Sequence, residues 1–122
     1  MDLEQVREAL LARPHATEET PFGPEALVYK VGGKIFAMIG IEWVPPILNL
    51  KFDPDHAAAL RDRYPDTVIP GYYTDKKHWN SVRLDGTGPR AELLSWIEGS
   101  WSLVVAGLTR KKRRELGLDE PA

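Results

Sequence analysis

Asp75, His78 and Ser81 are the side-chain types of a nucleophilic relay, set three residues apart within Thr67–Leu84, a stretch that also holds Tyr72, Tyr73, Lys76, Lys77 and Trp79. A relay needs the acid to orient the imidazole and the imidazole to reach the hydroxyl. In extended chain a step of three turns side chains to opposite faces, so this spacing speaks against one. His15, His56 and His78 match no zinc-ligand spacing, and there is no cysteine to add a thiolate. Gly32-Gly33 is too short to cradle a phosphate, and Gly86-Thr87-Gly88 lacks the lysine and hydroxyl residue that complete a phosphate loop. The residues therefore point to no reaction, no metal and no cofactor, and the expectation is a binding domain, not an enzyme.

What the chain does supply is cations beside aromatic rings. If Trp79–Leu84 is a strand, Val82 and Leu84 share a face with His78 and Asn80, while Trp79, Ser81 and Arg83 share the other. His78 and Asn80 are then expected to satisfy backbone groups at the end of a sheet. Trp79, Ser81 and Arg83, joined by Lys30, Asn49 and Lys51 on neighbouring strands, would form an open surface able to stack bases and meet phosphates. Lysines on an exposed sheet also guard against aggregation, so the same pattern admits a purely structural reading. Arg110-Lys111-Lys112-Arg113-Arg114 can add phosphate contacts, or can simply favour the negative end of a helix. Trp43, beside Pro45-Pro46, and Tyr72-Tyr73, beside Pro70-Gly71, are further aromatic candidates for a protein partner.

The elements that must carry these residues follow from periodicity. Leu3, Val6, Leu10 and Leu11 recur at helical spacing over 2–13, with Pro14 as the stop and residues 15–24 as a surface loop. Ala26–Val31 and Lys34–Glu42 flank Gly32-Gly33 as a hairpin, which places Val31 opposite Lys34, Tyr29 opposite Phe36 and Leu27 opposite Met38. One face of that hairpin would then hold Leu27, Tyr29, Val31, Phe36 and Met38. Ile47–Phe52 alternates as a half-buried strand, and Asp53-Pro54-Asp55 starts a helix that runs to about Tyr64. A short extended piece at Val68-Ile69 and the strand Trp79–Leu84 precede a last long helix. It runs from about Pro89 into the basic segment, with Leu94, Ile97, Trp101, Val104 and Leu108 as its apolar stripe.

The order α-β-β-β-α-β-β-α predicts an α+β two-layer sandwich over residues 1–122, an antiparallel sheet of about five strands with helices on one face. With 122 residues, 43% of them hydrophobic, the chain has the length and composition of one globular domain. No apolar run reaches the length of a membrane span, and the acidic start of MDLEQVREALLAR is unlike a signal peptide, so a cytoplasmic location without membrane contact is expected. The formal net charge of −2 conceals a division. Residues 1–109 hold 15 acidic and 11 basic side chains, and Arg110–Arg114 add five cations.

His78-Trp79-Asn80-Ser81-Val82-Arg83-Leu84-Asp85-Gly86, after Tyr73-Thr74-Asp75-Lys76-Lys77, resembles the K-x-H-W-N-x-V-x-L segment of the MmcQ/YjbR family. Tyr29–Ala37 and Ser100-Trp101-Ser102-Leu103-Val104 extend the resemblance over nearly the whole chain. The family's later motif usually reads acidic-Ser-Tyr, and here Gly99 precedes Ser100 while tryptophan stands at 101. The resemblance implies a fold similar to secretion-chaperone-like and frataxin-like sandwiches, and a DNA-binding role. Joined to the residues, this gives two expectations. The first is a non-enzymatic domain, a monomer by default, that meets DNA phosphates with little sequence specificity through Lys30, Lys51, Lys76, Lys77, Trp79, Ser81, Arg83, Arg110, Lys111, Lys112, Arg113 and Arg114. The alternative is a protein-interaction or chaperone-like module using the open sheet face.

Overall fold

The computed structural model describes residues 1–71, 74–86 and 88–118. Helix α1 (Leu3–Leu11) begins at a capping box in which the Asp2 carboxylate accepts from the Gln5 amide and the Gln5 side chain accepts from the Asp2 amide. It buries Val6 and Leu10. The region expected to be a bare loop then contributes a strand, β1 (Thr17–Glu19), which pairs antiparallel with β2 (Ala26–Val31). Three polar residues give no apolar alternation to read. The strand is held instead by distant groups, since Arg7 on α1 donates through Nε and Nη2 to Glu18 at 3.1 and 2.8 Å, and the Tyr29 hydroxyl donates to the same carboxylate at 2.5 Å.

Strands β2 and β3 (Lys34–Gly40) form the expected hairpin, and Gly32 and Gly33 take the positive φ angles, +58° and +81°, that the two-residue turn demands. The register departs from strict alternation. Val31 faces Lys34, but a bulge shifts Tyr29 to Ala37 and Leu27 to Ile39. Met38 therefore lies on the helix-free face rather than with Tyr29, while Phe36, the extra residue, stays buried in the core.

The chain continues through β4 (Ile47–Lys51), α2 (Pro54–Arg63), β5 (Val68–Pro70), β6 (Trp79–Arg83), α3 (Arg90–Ala106) and α4 (Arg110–Glu115). Asp53 caps α2 by accepting from the Asp55 amide, as the Asp-Pro-Asp start predicts. The six strands lie in the order β1-β2-β3-β4-β6-β5, every neighbouring pair antiparallel, with α1, α2 and α3 packed on one face. The α+β sandwich is thus the observed fold, enlarged by β1.

The expected last helix is two helices. Gly107 ends α3, and Thr109 caps α4 by accepting from the Lys112 amide at 3.1 Å. The buried stripe of α3 is Leu93, Trp96, Ile97, Ser100, Val104 and Val105, offset from the expected one, and Leu94 is exposed. The rings of Phe52, Trp96 and Tyr64 pack edge to face across this layer, with centroids 6.4 and 5.6 Å apart.

Candidate nucleic-acid interface

Antiparallel pairing brings the end of β2, the start of β3, the end of β4 and the start of β6 to one end of the sheet. The hairpin turn, Lys51 and Trp79 therefore share that end. Past the Ala37–Leu50 pair, the next groups across β3 and β4 are linked by a helix side chain. The Ser100 hydroxyl, fully buried on α3, donates to the Phe36 carbonyl at 2.6 Å and accepts from the Lys51 amide at 2.8 Å. Ser100 thus fixes the backbone from which Lys51 projects, and the bulge at Phe36 is built around it. A serine two residues after an exposed glutamate in a helical stripe carries no sequence signal for such a bridge.

The basic segment is docked on this end. A Cβ added at Gly32 would meet Leu108 at 2.8 Å and Leu116 at 3.4 Å, so the hairpin turn lies directly against the residues that flank α4. Arg113 donates to the carbonyls of Ala106 and Leu108, at 3.2 and 2.7 Å, and so caps the end of α3. Lys112 lies 3.7 Å from Glu115. Arg110 and Lys111 occupy the first turn of α4, the positive end of its dipole, while Lys112, Arg113 and Arg114 lie in its last turn, so the helix-end explanation for cations in this segment extends to the last three and not to the first two.

Between β5 and β6 the chain turns, and this brings Asp75 and His78 together despite the three-residue spacing. Asp75 Oδ2 lies 2.5 Å from His78 Nδ1, and the second carboxylate oxygen accepts from the Lys77 amide at 2.8 Å. His78, with the Lys77 amide second, holds the Asp75 carboxyl below its ordinary range. Ser81 takes no part in this pair. Asn80 behaves as the alternation predicts, donating to the Ala57 carbonyl at 3.1 Å and accepting from Arg61 at 2.8 Å. The turn is close-packed, since a Cβ at Gly71 would meet Thr74 Oγ1 at 2.6 Å, Trp79 Cβ at 2.9 Å and the Trp79 carbonyl at 3.0 Å. Tyr72 and Tyr73 lie outside the described residues.

The helix-free face differs from an open platform. Val28, Met38, Asn49 and Ser81 form one row across four strands, and all are buried. Ser81 and Asn49 are fully buried, and Ser81 donates to Asn49 Oδ1 at 2.5 Å, so neither presents a polar group to a partner, which corrects the expected exposure of both. Trp79 and Lys51 face each other, half-buried, at the hairpin-turn end. Lys30 is drawn to Glu19 at 3.5 Å, and the Lys76 ammonium lies 3.5 Å from the Gly71 carbonyl. Arg83 pairs with Ile47 at the opposite end of β6 and is separated from the other cations.

Charge is consequently sorted along the strand direction. Lys34, Lys51, Lys76, Lys77 and α4 gather at the hairpin-turn end, where, among the described residues, Asp53, Asp55, Asp75 and Glu115 also lie. Asp2, Glu25, Glu42 and Asp85 lie toward the other, with Arg83 among them, and Asp2 and Asp85 line one cleft beside Pro46 and Leu84. Lys34, beside Gly33 at the tip, is a cation that face-by-face reading of the strands missed; its place in the turn was the available signal. Among the described residues no three acids, histidines or cysteines converge as a metal site, and no helix is long and apolar enough to cross a membrane.

An antiparallel sheet with its helices on one face is the architecture of a small α+β sandwich domain. The chain belongs to the YjbR family, whose model matches residues 11–103. It is 41% identical over 96 residues to protein YbdF of Escherichia coli O157:H7, an alignment covering 79% of this chain and 78% of that one. It is 29% identical over 116 residues to YjbR of Escherichia coli K12, covering 95% and 98%. The crystal structure of Deinococcus radiodurans protein DR2400, with a DUF419 domain, superposes with a TM-score of 0.89 at 38% identity, covering 99% of this chain and 91% of that one.

Proposed function

We propose that the hairpin-turn end of the sheet binds DNA through its phosphates, with little sequence preference and without catalysing a reaction. The observation that carries this reading is the sorting of charge: a mildly acidic body turns one cationic end outward, formed by Lys34, Lys51, Lys76, Lys77 and α4. Strands lie about 4.8 Å apart, so β2 to β6 spans roughly 14 Å. A duplex carries one phosphate per about 3.4 Å of its axis on each strand, so a surface of that width runs along roughly four phosphates of a strand. Trp79 at the same end is suited to stack on a base in single-stranded DNA. The opposite, acidic end gives the molecule a polarity that orients its approach to a polyanion.

The test is a salt titration of DNA binding by fluorescence anisotropy, with duplex and single strands of several sequences. The expected result is binding at low salt that weakens linearly on a logarithmic salt axis and varies little with sequence. Absence of binding at low salt would overturn the reading. A protein partner captured irrespective of salt, but no longer captured on replacing Trp79, would favour the interaction-module alternative.

A further inference from the structure

Arg83 is the one cation singled out in the Trp79–Leu84 strand that lies away from the basic end, and its surroundings differ from those of the others. Together with Trp43, Val44, Pro45, Ile47 and Ile69 it lines a cleft of about 170 Å³ between the β3–β4 loop and the helix-free face. Ile47, 2% exposed, is the floor, and Trp43 and Val44 form an exposed wall. Among the described residues no carboxylate pairs with the Arg83 guanidinium, which is exposed at the cleft. A guanidinium with no carboxylate partner among the described residues, set against apolar walls, can receive an anion. Its planar fork matches a carboxylate through two parallel hydrogen bonds, and the apolar lining gains from covering a hydrocarbon.

We propose that this cleft binds a small apolar monocarboxylate, with Arg83 holding the carboxylate and Ile47, Ile69 and Trp43 receiving the hydrocarbon body. The volume falls below the roughly 300–1,000 Å³ of sites for drug-sized ligands and cofactors, which restricts the ligand to a branched aliphatic or single-ring acid. A phosphate dianion fits poorly, because one guanidinium leaves negative charge uncompensated against apolar walls. The site is independent of the DNA reading, since it lies at the other end of the sheet.

The probes are isocaproate and phenylacetate, with isocaproamide as the uncharged control, titrated into the full chain and followed by NMR. Saturable shifts of the Arg83 Nε, the Trp43 indole N–H and the Ile47 and Ile69 methyl groups are expected for both acids. The amide should bind at least about tenfold more weakly, and Arg83→Gln should weaken the acids by a similar factor, the scale of one charge-assisted hydrogen bond. Ile69→Trp, which fills the cleft, should abolish the shifts while the rest of the spectrum confirms the fold. Equal binding of acid and amide, an unchanged affinity in Arg83→Gln, or shifts confined to residues around Lys51 and α4 would each overturn the proposal.

Discussion

At the end of the sheet that holds Gly33 and Trp79, polar groups are tied to backbone: Ser100 to Phe36 and Lys51, Arg113 to the end of α3, Asn80 to Ala57, and Asp75 to the Lys77 amide. At the end that holds Pro46 and Leu84, Val44 is 96% exposed, Phe22 is 62% exposed, and Arg83 has no carboxylate partner among the described residues. One end uses its hydrogen bonds to fix the chain from which cations project, and the other leaves apolar surface uncovered. A fixed backbone beneath the cations suits a ligand of regular charge spacing, because little loop ordering remains to be done on binding. An uncovered apolar wall suits a ligand that is itself apolar.

The sharpest way to break this contrast is to neutralise the docked helix. Arg110→Gln, Lys111→Gln and Arg114→Gln together leave the Arg113 cap and the Lys112–Glu115 pair in place. DNA affinity near 0.1 M salt should fall on the order of tenfold for each phosphate deprived of its cation, and the logarithmic salt slope should become shallower by about 0.9 for each. Unchanged slopes would remove α4 from the interface. Next is Ser100→Ala, which leaves the Lys51 amide and Phe36 carbonyl without the hydroxyl that joins them. A destabilisation of about 1–3 kcal/mol in urea denaturation is expected, the scale for a buried hydrogen-bonding group left unmatched.

At the β1 edge, the Arg7 guanidinium holds the Glu18 carboxyl below its ordinary range, more strongly than burial raises it. A depressed carboxyl contributes stability that is present above its unfolded value, about 4.3, and is lost as pH falls through the lower folded value. Glu18→Gln should remove that acid-side dependence in thermal scans between about pH 5 and 3. The same carboxylate and, to a greater degree, burial push the Tyr29 phenol above its ordinary range, so Tyr29 should remain neutral in alkaline absorbance titration beyond about pH 10. A smaller effect is expected at Gly99, exposed inside α3 with nothing within 4 Å of an added Cβ. Gly99→Ala should stabilise by roughly 0.5–1 kcal/mol, because glycine loses more chain entropy in a helix than alanine does. Smallest of all, Arg83→Gln should leave DNA affinity within about twofold, since Arg83 lies at the other end from the cations.

Much of this arrangement was legible before the structure. Gly32-Gly33 announced the hairpin, Asp53-Pro54-Asp55 the start of α2, and alternation placed Asn80 inward and Trp79 outward. What escaped depends on bonds between distant residues. The bulge that moves Met38 to the helix-free face forms where Ser100, 64 positions from Phe36, bonds its carbonyl. Strand β1 has no apolar pattern because Glu18 is held from Arg7 and Tyr29. The α3 stripe was ambiguous because Leu93-Leu94 and Trp96-Ile97 offer two interleaved helical series. The break before α4 did leave a local trace, a glycine at 107 followed by a capping threonine at 109, the stop and start signals of successive helices. Asp75 and His78 meet because their segment turns where an extended chain would have parted them.

The pinned β1 has one more effect, on how copies of this molecule can coexist at high concentration. The outer margins of the sheet are the two shortest strands, three residues each, one carrying Glu18 and Glu19 and the other ending at Pro70. Short, charged or proline-ended margins are poor templates for a strand from another molecule. With Glu18 clamped to Arg7, sheets should not join edge to edge into filaments.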